Sequence, residues 1–86
     1  MARVEEVKAH VGASVDQTQR AVAALLGVAD QLDEALSRLR LTAIGSAHPS
    51  IVDAITRLEQ ARSRLDEAQI LARSAIDSAD SYRMII

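Results

Sequence analysis

The chain has no cysteine, no phenylalanine and no tryptophan, and it carries one tyrosine, one proline and three glycines. Without cysteine there is no disulfide framework and no thiolate metal site. With Tyr82 as its one aromatic, it lacks the large rings that fill a mixed α/β core of this size, each of which buries roughly 150–250 Å². No apolar run approaches the ~20 residues of a membrane span; the longest, residues 21–28, is interrupted by Gly27. Basic residues are not in excess: 10 Lys and Arg stand against 12 Asp and Glu, a formal charge of −2. That balance argues against general nucleic-acid binding, which needs a net basic face. The N-terminus is charged without an apolar core, so it does not read as a signal peptide. A cytoplasmic location is expected.

What remains is aliphatic and small. Alanine alone fills sixteen of the 86 positions, and alanine is the best helix former. Heptad spacing dominates. In the first half Val4, Val11, Thr18, Leu25, Leu32 and Leu39 fall seven apart. Val15, Val22, Ala29 and Leu36 interleave with them at the three-and-four spacing of one helical face. A third row, Val7, Ser14, Ala21, Val28 and Ala35, widens that face beyond a two-stranded seam. The second half repeats the pattern with Ile51, Leu58, Leu65, Ala72 and Ala79, and with Ala54, Ala61, Ala68, Ala75 and Tyr82. Ile55 and Ile76 lie beside these, with Arg62 and Gln69 between.

One break separates the halves. Gly45 suits the left-handed residue that ends a helix. Pro49 can begin a helix but not continue one, and His48 before it is pushed out of the helical region. Ser50 with Asp53 reads as a weak capping box. The expectation is a helix over about 3–44, a turn at about 45–49 formed by Gly45, Ser46, His48 and Pro49, and a helix over about 49–83. The fold class is all-α: an antiparallel, coiled-coil-like hairpin in one domain. Turning near Ser46 and Ala47 sets Leu39 against Ala54, Leu32 against Ala61, Leu25 against Ala68 and Thr18 against Ala75, large opposite small. These seven aliphatic residues, Leu25, Leu32, Leu39, Ala54, Ala61, Ala68 and Ala75, are the expected seam.

A hairpin sealed by alanine buries little area, and at about 25 cal/mol per Å² it struggles against chain entropy. Apolar residues are left over, so a homodimer or a complex with a similar hairpin is expected, paired as a four-helix bundle. Leu26, Val28, Ile70, Leu71, Tyr82, Met84, Ile85 and Ile86 are the candidate partner surface. The apolar C-terminus is expected to be covered by the first helix or across a dimer.

Charged residues mostly read as helix-surface pairs: Asp16–Arg20, Glu34–Arg38, Asp53–Arg57 and Arg73–Asp77 at i,i+4, with Glu59–Arg62, Arg64–Glu67 and Asp80–Arg83 at i,i+3. Arg62 is expected to reach Asp30 or Glu34 across the hairpin and fix register. The acidic patch of Asp30, Asp33 and Glu34 lacks the Glu-x-x-His pairs of di-metal bundles, and Glu6 with His10 is one pair, not a site. Neither His10 nor His48 has a nucleophile and acid arranged around it. No catalytic residue, metal or cofactor is expected.

The alanine- and leucine-rich hairpin with the turn Gly45-Ser46-Ala47-His48-Pro49 and a late Tyr82 resembles a group of small actinobacterial helical hairpins carrying a Gly-Ser-x-His-Pro turn. More loosely the chain is similar to the WXG-type hairpins of type VII secretion. That second resemblance implies four-helix dimers that act as secreted cargo or as partners of larger toxins, and leaves signal-peptide-independent export as the alternative location. The chain has no Trp-x-Gly turn, and Tyr82 is followed four residues on by Ile86 rather than an acid, so architecture alone is carried over. The function expected is a non-enzymatic interaction module, an adaptor or partner linked to a secretion or toxin system. The alternatives are a regulatory or toxin-neutralising protein with one larger target, and a weak nucleic-acid binder using Arg38, Arg40, Arg57, Arg62 and Arg64.

Overall fold

A computed structural model describes residues 3–85. Two helices account for nearly all of them: α1 over Val4–Gly45 and α2 over Pro49–Ile85. They lie antiparallel in one layer, a rod of 63 × 19 × 15 Å.

The ends follow local chemistry. Arg3 is extended, and its carbonyl accepts from the Val7 N–H at 3.0 Å. Glu5 and Glu6 in the first turn of α1 face the positive end of the helix dipole. At the other end the expected left-handed exit is absent: Gly45 has no positive φ. The helix runs through Gly45 and stops at Ser46, which is extended at φ −155° and ψ 100° and donates its N–H to the Thr42 carbonyl at 2.9 Å.

The cap of α2 is also displaced from its expected place. Ser50 lies inside the helix, and His48 holds the cap position. The His48 carbonyl accepts from Ile51 at 2.9 Å and Val52 at 3.2 Å, and its ring Nδ1 accepts from the Ser50 N–H at 3.1 Å. Pro49 at the first helical position has no N–H to satisfy, so one ring nitrogen and one carbonyl serve the donors that follow. Asp53, released from capping, pairs with Arg57 at 2.9 Å.

The seam is one row over from its expected position. Among the described residues four side chains are buried: Val15, Val22, Ala29 and Leu36, with Leu36 the most enclosed at 3% exposure. Leu25, Leu32 and Leu39 are half-buried. On α2 the half-buried rows are Ile51, Leu58, Leu65, Ala72 and Ala79, and beside them Ile55, Arg62, Gln69, Ile76 and Arg83. The alanine row lies at the rim: Ala54 and Ala61 are half-buried, while Ala68 and Ala75 are exposed. The reason is area. An isoleucine hides several carbons where an alanine hides one methyl, and Arg62, Gln69 and Arg83 can follow Ile55 and Ile76 inward by laying their stems on the seam with their polar tips at its edge. A turn from Gly45 to Pro49 then sets Leu36 level with Leu58, Ala29 with Leu65, Val22 with Ala72 and Val15 with Ala79. The last two line a shared groove.

The two interior glycines of α1 differ in their surroundings. A side chain at Gly12 would meet the Arg83 guanidinium at 3.0 Å, whereas one at Gly27 would meet nothing within 4 Å. Gly27→Ala is therefore expected to add about 0.8–1 kcal/mol of helix propensity without a steric cost, raising Tm by about 4–8 °C. Gly12→Ala should gain less, because the Arg83 head must move aside. Thermal unfolding followed by circular dichroism decides it, and a lower Tm for Gly27→Ala would refute the open surroundings.

Candidate interaction surface

The seam has two flanks, and the sequence makes them unlike. One flank carries Asp33 and Arg40 on α1 with Glu59, Asp66, Arg73 and Asp80 on α2. Here charges cross the hairpin. Arg62 donates from Nε to Asp33 Oδ1 at 3.0 Å, and from Nη1 to Asp66 on its own helix. Arg40 faces Glu59 at 3.8 Å. Hydrogen bonds to Asp66 first, and then to Asp33, raise the Arg62 pKa above its ordinary value, so the guanidinium remains charged. These groups are solvent-exposed, so their contribution is to orientation more than to stability. The row of α1 beside this flank is the fully buried one, Val15 to Leu36.

The other flank carries Ser14, Ala21, Val28, Ala35 and Thr42 on α1, with Ala54, Ala61, Ala68, Ala75 and Tyr82 on α2. None of these side chains bears a charge. Two hydroxyls there are satisfied within their own helix: Thr18, one row inward, donates to the Ser14 carbonyl at 2.7 Å, and Thr42 to the Arg38 carbonyl at 3.0 Å. The α1 row beside this flank is the half-buried one, Leu25, Leu32 and Leu39. On α1 the seam is thus more deeply buried beside the charged flank than beside the uncharged one, while on α2 both seam rows are half-buried and grooves open on both flanks.

Most of the expected partner surface is exposed: Leu26, Val28, Ile70, Leu71, Tyr82, Met84 and Ile85, with Leu71 at 70% and Met84 at 87%. Ile86 lies outside the described residues. Among the described residues the apolar end of α2 is not covered by α1, since Met84, Ile85 and Val4 are all exposed within the single chain. The seven do not share one face. Val28 and Tyr82 lie on the uncharged flank with Leu71 adjoining it, while Leu26 lies on the charged flank with Ile70, one heptad from Ser63, adjoining it.

The cross-hairpin partner of Arg62 is Asp33, not Asp30 or Glu34. Of the helix-surface pairs expected, Asp53–Arg57 and Asp80–Arg83 form, while Glu59 turns to Arg40 rather than Arg62. The Arg40–Glu59 and Arg62–Asp66 contacts were missed in the sequence. Their signal was available: once Ile55 and Ile76 are placed on the seam, Arg62 joins them and the neighbouring row of α2 becomes Glu59 and Asp66. The five arginines of the basic-patch alternative are divided, with Arg40, Arg57 and Arg62 each held by carboxylates. Among the described residues, no three or more His, Asp or Glu side chains gather as they would around a metal ion, and no helix is long and apolar enough to cross a membrane. No protein-family model, curated protein or solved structure matches the chain.

Proposed function

We propose that the chain is a non-enzymatic helical interaction module that works as an assembly with its own copies, an adaptor or partner of the kind encoded beside secretion or toxin systems. The observation that carries the reading is the poverty of the core. Among the described residues, the rod of two long helices encloses four side chains, the largest a leucine, while Ile70, Leu71, Met84 and Ile85 are more than two-thirds exposed. A helical layer with one buried row per helix pair hides too little apolar area to offset the ordering of its backbone, so its stability comes from what it binds. The resemblance of its length and hairpin architecture to secretion-linked hairpins supports the choice of adaptor over scaffold. Sedimentation equilibrium at micromolar concentration is expected to show a defined oligomer whose Tm rises with concentration. A folded monomer with a concentration-independent Tm would overturn the proposal.

A second reading rests on Tyr82, Met84 and Ile85, which are exposed together at the end remote from the turn. In it the protein neutralises or regulates one larger target that covers those residues. It predicts a stoichiometric complex with that target that survives gel filtration and replaces the homo-oligomer. The first reading predicts that the self-assembled form persists.

A further inference from the structure

We propose that a second copy of the chain covers the uncharged flank, so that Ala21, Val28 and Ala35 of α1 and Ala61, Ala68 and Ala75 of α2 form an isologous interface with the same residues of the partner. The proposal rests on the self-association reading above and assigns it a face.

Three observations lead there. The first is area. The chain exposes 6434 Å², whereas a compact monomer of its 9.3 kDa exposes about 5,000 Å². The excess of about 1,400 Å² per chain is larger than the ~800 Å² per partner of a standard interface, and doubled it falls among obligate homodimers. The second is the asymmetry of the seam. Leu25, Leu32 and Leu39 are half-buried beside the flank that carries no charge. Something laid on that side completes their burial, while anything laid on the other must desolvate the Asp33–Arg62–Asp66 bridge and the Arg40–Glu59 pair, at a cost that such pairs do not readily recover.

The third is the occupant. A rod of 63 Å with an uncharged stripe from Ser14 to Thr42 and back from Ala54 to Tyr82 needs a partner with an uncharged stripe of the same length. The chain's own flank is such a stripe. A two-fold axis lays one over the other along their whole length and opposes no charge to an apolar side chain. The small residues at Ala61, Ala68 and Ala75 let the backbones approach to the short end of the ~8–10 Å interaxial range. Placing the alanine row here also explains its strict repeat, which the hairpin seam itself does not use.

The test compares equal charges on the two flanks. Ala68→Glu puts a carboxylate on the proposed interface; Ser63→Glu puts one in the groove beside Arg62 and Asp66. Sedimentation equilibrium is expected to show a wild-type dimer, a dimer for Ser63→Glu, and a dissociation constant for Ala68→Glu raised roughly 100-fold or more, the effect of an unpaired buried charge. Because Ala68→Glu can also unfold once monomeric, a second measurement uses the folded protein. The chain has no cysteine, so Ala68→Cys and Ser63→Cys each carry one thiol for a short bis-maleimide reagent. Ala68→Cys should give covalent dimer and Ser63→Cys little. If the wild type is a dimer but Ser63→Cys cross-links and Ala68→Cys does not, the assigned face is wrong while self-association stands. If the wild type is a folded monomer, both fall.

Discussion

Leu36→Ala should be the most damaging aliphatic truncation in the chain, costing about 2–4 kcal/mol, and Leu39→Ala should cost clearly less. Leu36 is the most enclosed large side chain, at 3% exposure, whereas Leu39, three residues on, is half-buried on the uncharged side of the seam. The truncation term is the transfer of the lost carbons plus a cavity term that depends on how far the surroundings relax. At Leu36 the ion-paired flank limits relaxation, since Arg40–Glu59 and Arg62–Asp33 span the hairpin on either side of it. At Leu39 water reaches part of the side chain already. In a chain whose total stability is of the order of 5 kcal/mol, the lower end of the range for small domains, Leu36→Ala is expected to abolish most helical ellipticity at 37 °C while Leu39→Ala keeps it. Urea unfolding of both variants at one protein concentration checks the order. Equal losses, or a larger loss at Leu39, would place the seam on the other row.

That comparison also separates what was legible in the sequence from what was not. Periodicity is a local property, and it read correctly: two helices, one break, and a second helix that starts at Pro49. The rows themselves were legible too, because Val15, Val22, Ala29 and Leu36 stand seven apart in a helix of 3.6 residues per turn. Which row faces the partner helix was not. α1 carries three adjacent uncharged rows, and a face that wide is satisfied by rotations of one row in either direction. On α2 the alanine repeat is unbroken, whereas Arg62 and Gln69 interrupt the row of Ile55 and Ile76. The structure half-buries Ile55 and Ile76 and leaves Ala68 and Ala75 exposed, and it tolerates the arginine because Asp33 and Asp66 receive its head at the edge. The alanine repeat lies at the rim of the seam rather than within it.

The caps show the same limit at smaller scale. Gly45 and Ser50 are residues that favour a left-handed exit and an N-cap, but the connection is three residues long, Ser46 to His48, and antiparallel alignment of two long rods constrains its path. Thr42 provides the carbonyl that stops α1, and the His48 ring provides the acceptor that starts α2. Propensity ranks residues for a position; the reach of the connection decides which position each one occupies.

The register implied by that short connection carries the second large effect. With α1 ending at Gly45 and α2 starting at Pro49, Ala29 stands level with Leu65, a small residue facing a large one. Ala29 is buried at 7% exposure, so Ala29→Leu forces two leucines into one layer, and overpacking of this kind costs about 1–3 kcal/mol. Leu65→Ala alone leaves two alanines in the layer and is expected to cost about 2–3 kcal/mol, toward the lower end for leucine because Leu65 is half-buried. The double variant Ala29→Leu with Leu65→Ala restores the volume of the layer with its large member on the opposite helix. Its stability should lie within about 1 kcal/mol of the wild type, a coupling of at least about 2 kcal/mol in a double-mutant cycle. Additive losses would mean that the two side chains do not meet. Ala29→Leu with Ala68, which the register first expected from sequence sets opposite Leu25, replaced by Gly serves as the control pair and should show no such recovery, because Ala68 lies on the rim and Ala29 in the seam.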